Sequence, residues 1–167
     1  MSRMLDFMRP QYYAPRISAV DPAELRDRGV RGAIVDLDNT LVGFSSTAPL
    51  AEDADWVARA NEAGVRVVVL TNNGTPWAAG VARDLGVPCI AKARKPLPHG
   101  FRRALRVLGL AAHEAIVIGD QLFTDVLGAK LAGLAVILVE PIVRRDPWNT
   151  LPLRWAEGIV LRGVPRV

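Results

Sequence analysis

Asp36-Leu37-Asp38-Asn39-Thr40-Leu41-Val42 follows an apolar run, Ala33-Ile34-Val35. The run reads as a buried strand, and two carboxylates fall at its carboxyl end. Residues two apart on a strand point to the same face, so Asp36 and Asp38 crowd like charges together and perturb each other's ionisation. Such a pair is costly unless something uses it, and a divalent cation between carboxylate oxygens removes the conflict. A single Asp here would read as an ordinary turn residue. Two of them, followed by Asn39-Thr40, point to chemistry.

Outward from this point the chain alternates. Leu50–Ala63 is a helix, with Leu50, Ala54, Val57 and Ala60 on one face and Gly64 closing it. Val65–Leu70 is a strand whose nearly continuous apolar run suits a position covered on both faces. Pro76–Leu85 is a helix, Pro88–Ala91 a short strand, Pro98–Leu108 a helix, Ala115–Ile118 a strand, Asp125–Ala132 a helix and Ala135–Val139 a strand. Repeated strand–helix units of this length predict an α/β fold, a central parallel sheet with helices on both faces. Ligands then bind beyond the carboxyl ends of the strands. Before this core, 29–140, lies a lead-in, 1–28, irregular except for a helix start at Asp21-Pro22-Ala23-Glu24. After it comes an extension, 141–167, read either as a helix closing the core or as a surface that meets a membrane or partner. The whole, 1–167, suits one domain.

Half of the 167 residues are apolar, enough for a sizeable core. The single cysteine, Cys89, excludes an internal disulfide framework and fits a reducing compartment; it reads as a packing residue. The net charge of +4 is modest and spread along the chain, which fits solvated faces, or attraction to anionic substrates or lipid surfaces, and no nucleic-acid partner is expected. No apolar run reaches the roughly 20 residues of a spanning helix. A cytoplasmic location follows as the expectation, peripheral at the inner face of the membrane if the ends of the chain meet lipid.

Three further strand ends carry polar groups. Thr71-Asn72-Asn73-Gly74 is either an ordinary Asn-Gly turn or a loop whose hydroxyl and N–H groups hold a phosphoryl oxygen. Lys92-Ala93-Arg94-Lys95-Pro96 offers point charges suited to phosphate, or a solvated basic loop. Gly119-Asp120 permits a close backbone approach and adds a carboxylate that completes an oxygen-ligand set for Mg²⁺. Asp125 braces Lys95 or a metal-bound water, or caps the next helix. Together these fit phosphoryl transfer: Asp36 as a carboxylate nucleophile forming an acyl phosphate, Asp38 as general acid and base, Thr71 and Lys95 on the phosphoryl group. Asn72, Asn73, Arg94 and Gln121 are candidate substrate contacts, and Asn39 and Thr124 candidate supports. His99 and His113 read as surface residues.

With Asp-x-Asp, Thr, Lys and Gly-Asp-x-x-x-x-Asp at four strand ends in order, the chain resembles the haloacid dehalogenase superfamily of Asp-dependent phosphatases. The resemblance implies a Rossmann-like three-layer sandwich and a metal site of Asp36, the backbone carbonyl of Asp38, and Asp120, with Asp125 supporting the acidic cluster. Asp36–Val42, Ala93–Pro96, Val117–Leu122 and Thr124–Gly128 look like the YqeG-type phosphatases of subfamily IIIA, a group related to the mitochondrial phosphatidylglycerophosphatases. Thr71 stands where several relatives carry Ser, and the tail matches only loosely.

In that superfamily, cap domains sit after the first or second motif. Here 32 residues separate Asp38 from Thr71 and 23 separate Thr71 from Lys95, room for a helix and a strand each but for no cap domain. An open site must borrow water exclusion from its substrate or from a surface. Phe7, Met8, Tyr12 and Tyr13 beside Arg3, Arg9 and Arg16, and Trp148 and Trp155 among the arginines of the tail, suit a membrane interface or pack over sheet edges. The expected partner is a phosphomonoester, with phosphatidylglycerophosphate the substrate the resemblance favours. The alternatives are a soluble sugar phosphate, a nucleic-acid end, a receiver-type signalling domain that holds its phosphoryl group, or a partner-binding protein. Asp38 argues against the receiver, which lacks an acid/base two residues after its acceptor.

Overall fold

A computed structural model describes residues 6–43, 46–143, 160–161 and 163–167. Its strands are β1 (Tyr12–Ala14), β2 (Gly32–Val35), β3 (Arg66–Leu70), β4 (Cys89–Ile90), β5 (Ala115–Gly119) and β6 (Ala135–Val139). Its α-helices are α1 (Pro22–Asp27), α2 (Ala51–Glu62), α3 (Pro76–Asp84), α4 (Pro98–Leu108) and α5 (Leu127–Leu131).

The six strands form one parallel sheet in the order β1-β6-β5-β2-β3-β4. From β2 the chain winds outward through β3 to β4, then returns to the other side of β2 for β5 and β6. The crossing point is therefore between β2 and β5, where Val35 lies beside Ile118. Strand order reverses there and the loops diverge, leaving a crevice.

Alternating residues along the strands face opposite layers. Ala33, Val35, Val67, Val69, Ile116 and Ile118 pack with Trp56, Val57 and Ala60 of α2 and Ala78 and Ala82 of α3. Ile34, Val68, Val117 and Val136 pack on the other side with Phe101, Ala104 and Leu108 of α4 and Ala129 of α5. The result is the three-layer, Rossmann-like sandwich expected, and among the described residues no lid domain follows the first or second strand end.

Two local expectations change. The lead-in is not irregular throughout: Tyr12–Ala14 adds a parallel edge strand, Tyr12 opposite Ile137. Gln11 Oε1 accepts the Val136 N–H at 2.8 Å, and the Tyr13 hydroxyl donates to Glu140 at 2.5 Å. Met8 is buried and both tyrosines pack on the core, while Phe7 is exposed; most of this aromatic cluster is therefore a sheet edge. The helix expected from Asp125 is preceded by a π-helical turn, Leu122–Val126. In the tail, residues 144–159 and 162, with Trp148 and Trp155, lie outside the described residues. Val160 is buried and helical, and the last residues run beside β1, Val167 N–H donating to Tyr13 O and Tyr13 N–H to Pro165 O, both at 3.0 Å.

Candidate active site

Four loops converge at the crossing point. Asp36 prolongs β2, its N–H still donating to Ile118 O at 2.9 Å. The chain then turns tightly, Leu41 and Val42 both donating to Leu37 O at 3.0 Å, which brings Thr40 back toward the strand end. Thr40 Oγ1 lies 3.3 Å from Asp120 Oδ1 and 3.5 Å from Asp36 Oδ2. Thr40 is buried and was not among the candidates, although its place four residues after Asp36 in a tight turn was a usable signal.

Lys95 reaches in from the loop after β4. Its Nζ donates to Asp36 Oδ1 at 2.5 Å and to Asp125 Oδ1 at 2.6 Å. Asp125 gets there through the π turn, in which Val126 N–H donates five residues back to Gln121 O at 3.2 Å. Its other oxygen, Oδ2, accepts the Gln121 N–H at 3.1 Å. Gly119 makes room: a Cβ there would sit 2.4 Å from Asp125 Cγ, a distance no side chain tolerates. Asp125 thus braces Lys95 with one oxygen and, with the other, takes the N–H of the residue that caps the π turn.

Asp38 faces a different neighbour. Its carboxylate accepts from Thr71 Oγ1 at 2.9 Å and from Asn73 Nδ2 at 3.2 Å. Asn73 also donates its N–H to Thr71 Oγ1 at 3.0 Å, so the second loop is built around the Asp38 carboxylate. Asn72, a candidate substrate contact, is spent elsewhere: its amide grips the backbone of Lys95, accepting N–H at 2.7 Å and donating to C=O at 3.1 Å. It positions the lysine. Asn39 does the same for the chain after β6, its amide donating to Val143 O at 3.0 Å and accepting Val143 N–H at 3.1 Å. Gln121 and Thr124 bond each other through their side chains, Thr124 Oγ1 donating to Gln121 Oε1 at 3.3 Å. Arg94 is exposed at the mouth, and His99 and His113 are exposed.

The charges do not balance. Asp36, Asp120 and Asp125, exposed by 5, 9 and 1%, surround one lysine. Burial pushes the Asp36 carboxyl up to about 7, against the pull of Lys95 and with a push from Asp125. Burial, then Asp36 and Asp125, push Asp120 up to about 8. Burial pulls Lys95 down, but Asp125 and Asp36 outweigh it and leave the ammonium above its ordinary value. Lys95 is therefore a fixed cation, and the surplus negative charge is shared by carboxylates that resist ionising together.

One carboxylate oxygen from each of Asp36, Asp120 and Asp125 lies within 4.8 Å of the others. An all-oxygen, net-negative, buried donor set fits a hard divalent cation.

Residues 6–133 match the family described as haloacid dehalogenase-like hydrolase. The chain is 36% identical over 160 residues, 96% of this chain and 93% of the other, to the probable phosphatase YqeG of Bacillus subtilis. It is 29% identical over 160 residues, 89% of this chain and 59% of the other, to the chloroplastic phosphatidylglycerophosphate phosphatase 1 of Chlamydomonas reinhardtii. In three dimensions it resembles the cobalt-bound deoxy-D-mannose-octulosonate 8-phosphate phosphatase of Haemophilus influenzae, with a TM-score of 0.57 and 15% identity, covering 82% of this chain and 90% of that one. That likeness is one of fold.

Proposed function

The chain belongs to the haloacid dehalogenase-like hydrolase family and is a phosphatase, and from that premise we propose that it hydrolyses phosphomonoesters through a phosphoryl group carried on Asp36, with Mg²⁺ held by Asp36, Asp120 and the backbone carbonyl of Asp38. When bound, such a cation offsets the surplus carboxylate charge and polarises a phosphoryl oxygen.

Lys95 fixes Asp36 by one oxygen, Oδ1, and the carboxylate attacks phosphorus as the P–O bond to the leaving alcohol breaks. Asp38 gives the departing oxygen its proton, then takes one from the water that cleaves the acyl phosphate. Thr71 and Asn73 hold the Asp38 carboxylate in place, and the Lys95 ammonium, joined by the Thr71 hydroxyl while Asp38 carries the proton, meets the phosphoryl charge. The observation that carries this reading is the convergence of Asp36, Asp120, Asp125 and Lys95, all buried, at the one point where strand order reverses.

The proposed substrate is phosphatidylglycerophosphate, taken at the inner surface of the cytoplasmic membrane. The similarity to the chloroplastic enzyme supports it, and so does a site with no lid domain among the described residues. Among those residues, no helix is long and apolar enough to cross a membrane. The test is phosphate release with Mg²⁺ from this lipid in mixed micelles and from a panel of soluble phosphomonoesters, with Asp36→Asn as control. Preference for the lipid, abolished in the variant, is expected. Turnover of soluble esters alone would keep the chemistry and discard the lipid; no turnover, with a lasting phosphoryl group on Asp36, would return the protein to the signalling class.

A further inference from the structure

Among the described residues, three positions other than glycine adopt a left-handed backbone: Asn39, Lys92 and Arg94, at φ of 68°, 51° and 57°. Asn visits this region readily; long cationic side chains do so at a cost in strain. The other six left-handed positions are all glycine. Two of the three exceptions thus fall two residues apart in one loop, both cations, beside the buried Lys95.

The loop's shape has a local cause. Ala93 N–H donates to Thr71 O at 3.0 Å, and Asn72 grips the backbone of Lys95. Ala93 and Lys95 are thereby turned inward, and Lys92 and Arg94, alternating with them, are exposed. That geometry explains the backbone but not the side chains, since glycine or asparagine would meet it with less strain. Strain retained at a site's edge is a pointer to use.

The Lys92 stem lies across the second loop: a Cβ at Gly74 would come within 2.5 Å of Lys92 Cε and 2.6 Å of its Cγ. Its stem therefore packs against the loop that carries Thr71 and Asn73. Among the described residues neither Lys92 nor Arg94 is in an ion pair. Two exposed cations, outside any ion pair among the described residues, thus flank Ala93 on the loop that carries the buried Lys95.

We infer that Lys92 and Arg94 form a second anion position that takes negative charge on the leaving-group side of the substrate. The chemistry recognised is a phosphomonoester that bears another anionic group, such as a phosphodiester, nearby. This rests on the phosphatase reading above.

The test separates the two. In Asp36→Asn, which binds without turnover, affinities for inorganic phosphate and for the soluble headgroup glycerophosphoglycerol phosphate are measured by calorimetry with Mg²⁺, with and without Lys92→Gly and Arg94→Gly. In the otherwise native enzyme the same variants are assayed on p-nitrophenyl phosphate, the headgroup and the intact lipid in micelles. The paired glycines should raise the melting temperature, because strain is relieved. They should weaken headgroup binding, and raise its KM, about tenfold more than for inorganic phosphate or p-nitrophenyl phosphate. An equal effect on headgroup and lipid places the anion in the substrate. An effect on the lipid alone places it in the surrounding lipid surface and overturns the subsite. A higher melting temperature with all ratios unchanged overturns the inference while leaving the phosphatase intact. If turnover fails with every substrate, the calorimetric ratio still decides the subsite.

Discussion

Two buried charge clusters in this chain look alike and do different work. In one, Asp36, Asp120 and Asp125 surround Lys95 at the crossing point of the sheet. In the other, Asp53, fully buried in the first turn of α2, pairs with Arg16 of the lead-in, with Glu52 3.7 Å away. Burial raises the Asp53 carboxyl as it raises Asp36 and Asp120. The difference lies in stoichiometry and satisfaction. At Asp53 one buried acid meets one base at a helix N-terminus, the second acid, Glu52, being exposed to solvent; the helix dipole also favours a carboxylate there, and both Arg16 Nε and Asp53 Oδ1 are left without a hydrogen-bond partner. That is a tether between the segment after β1 and α2, imperfectly made. At the crossing point three acids meet one base, and the whole is held by residues from four loops. Surplus buried charge, rather than burial, is what separates the proposed cation and phosphoryl site from the Asp53 cluster.

Substitutions can break that distinction. The largest effect is expected at Asp36→Asn, a loss of more than about 10³-fold in phosphate release, with the melting temperature of the metal-free protein unchanged or higher because a surplus buried charge is gone. Next, Asp53→Ala strands Arg16 and should cost about 2–4 kcal/mol in urea unfolding while kcat/KM stays within about threefold. A loss of activity without loss of stability at Asp53 would erase the contrast.

A pH titration sharpens it. With Asp36 and Asp120 held near 7 and 8 in the metal-free fold, against about 3.9 when unfolded, the native state binds more protons than the unfolded state between about pH 4 and 8. Stability must then fall as pH rises through that window. Lys95 is raised, so it loses stabilising charge only above its ordinary value of 10.5 and does not offset the trend. Mg²⁺ should restore stability more at pH 8 than at pH 6. Asp120→Ala should abolish that restoration, and Asp53→Ala should keep it. The smallest effect is expected at Thr40→Val, about tenfold on kcat/KM, from loss of the hydroxyl between Asp36 and Asp120.

Most of the frame was legible because β2, β3, β5 and β6 are apolar runs ended by polar groups, and because Pro76, Pro98, Gly64 and Gly86 punctuate the helices. What the sequence hid was long-range or fine-grained. Tyr12–Ala14 is too short to show alternation, and its partner β6 lies more than a hundred residues away. The π turn that swings Asp125 under Lys95 has no compositional signature, so one residue left two readings open. Asn72 looked like a substrate contact because a strand-end amide usually is available; only the fold reveals that the backbone of Lys95 claims both of its ends. The left-handed Lys92 and Arg94 were invisible as well, since nothing in Lys-Ala-Arg-Lys announces strain.

The central claim is that Asp36 carries the phosphoryl group. Acid quenching of the enzyme during turnover with Mg²⁺, followed by mass spectrometry of the peptide spanning Asp36, tests it directly. A phosphorylated Asp36 that accumulates before the steady state, and is absent from Asp36→Asn, is expected. Steady turnover with that peptide unmodified, and retained in Asp36→Asn, would contradict it.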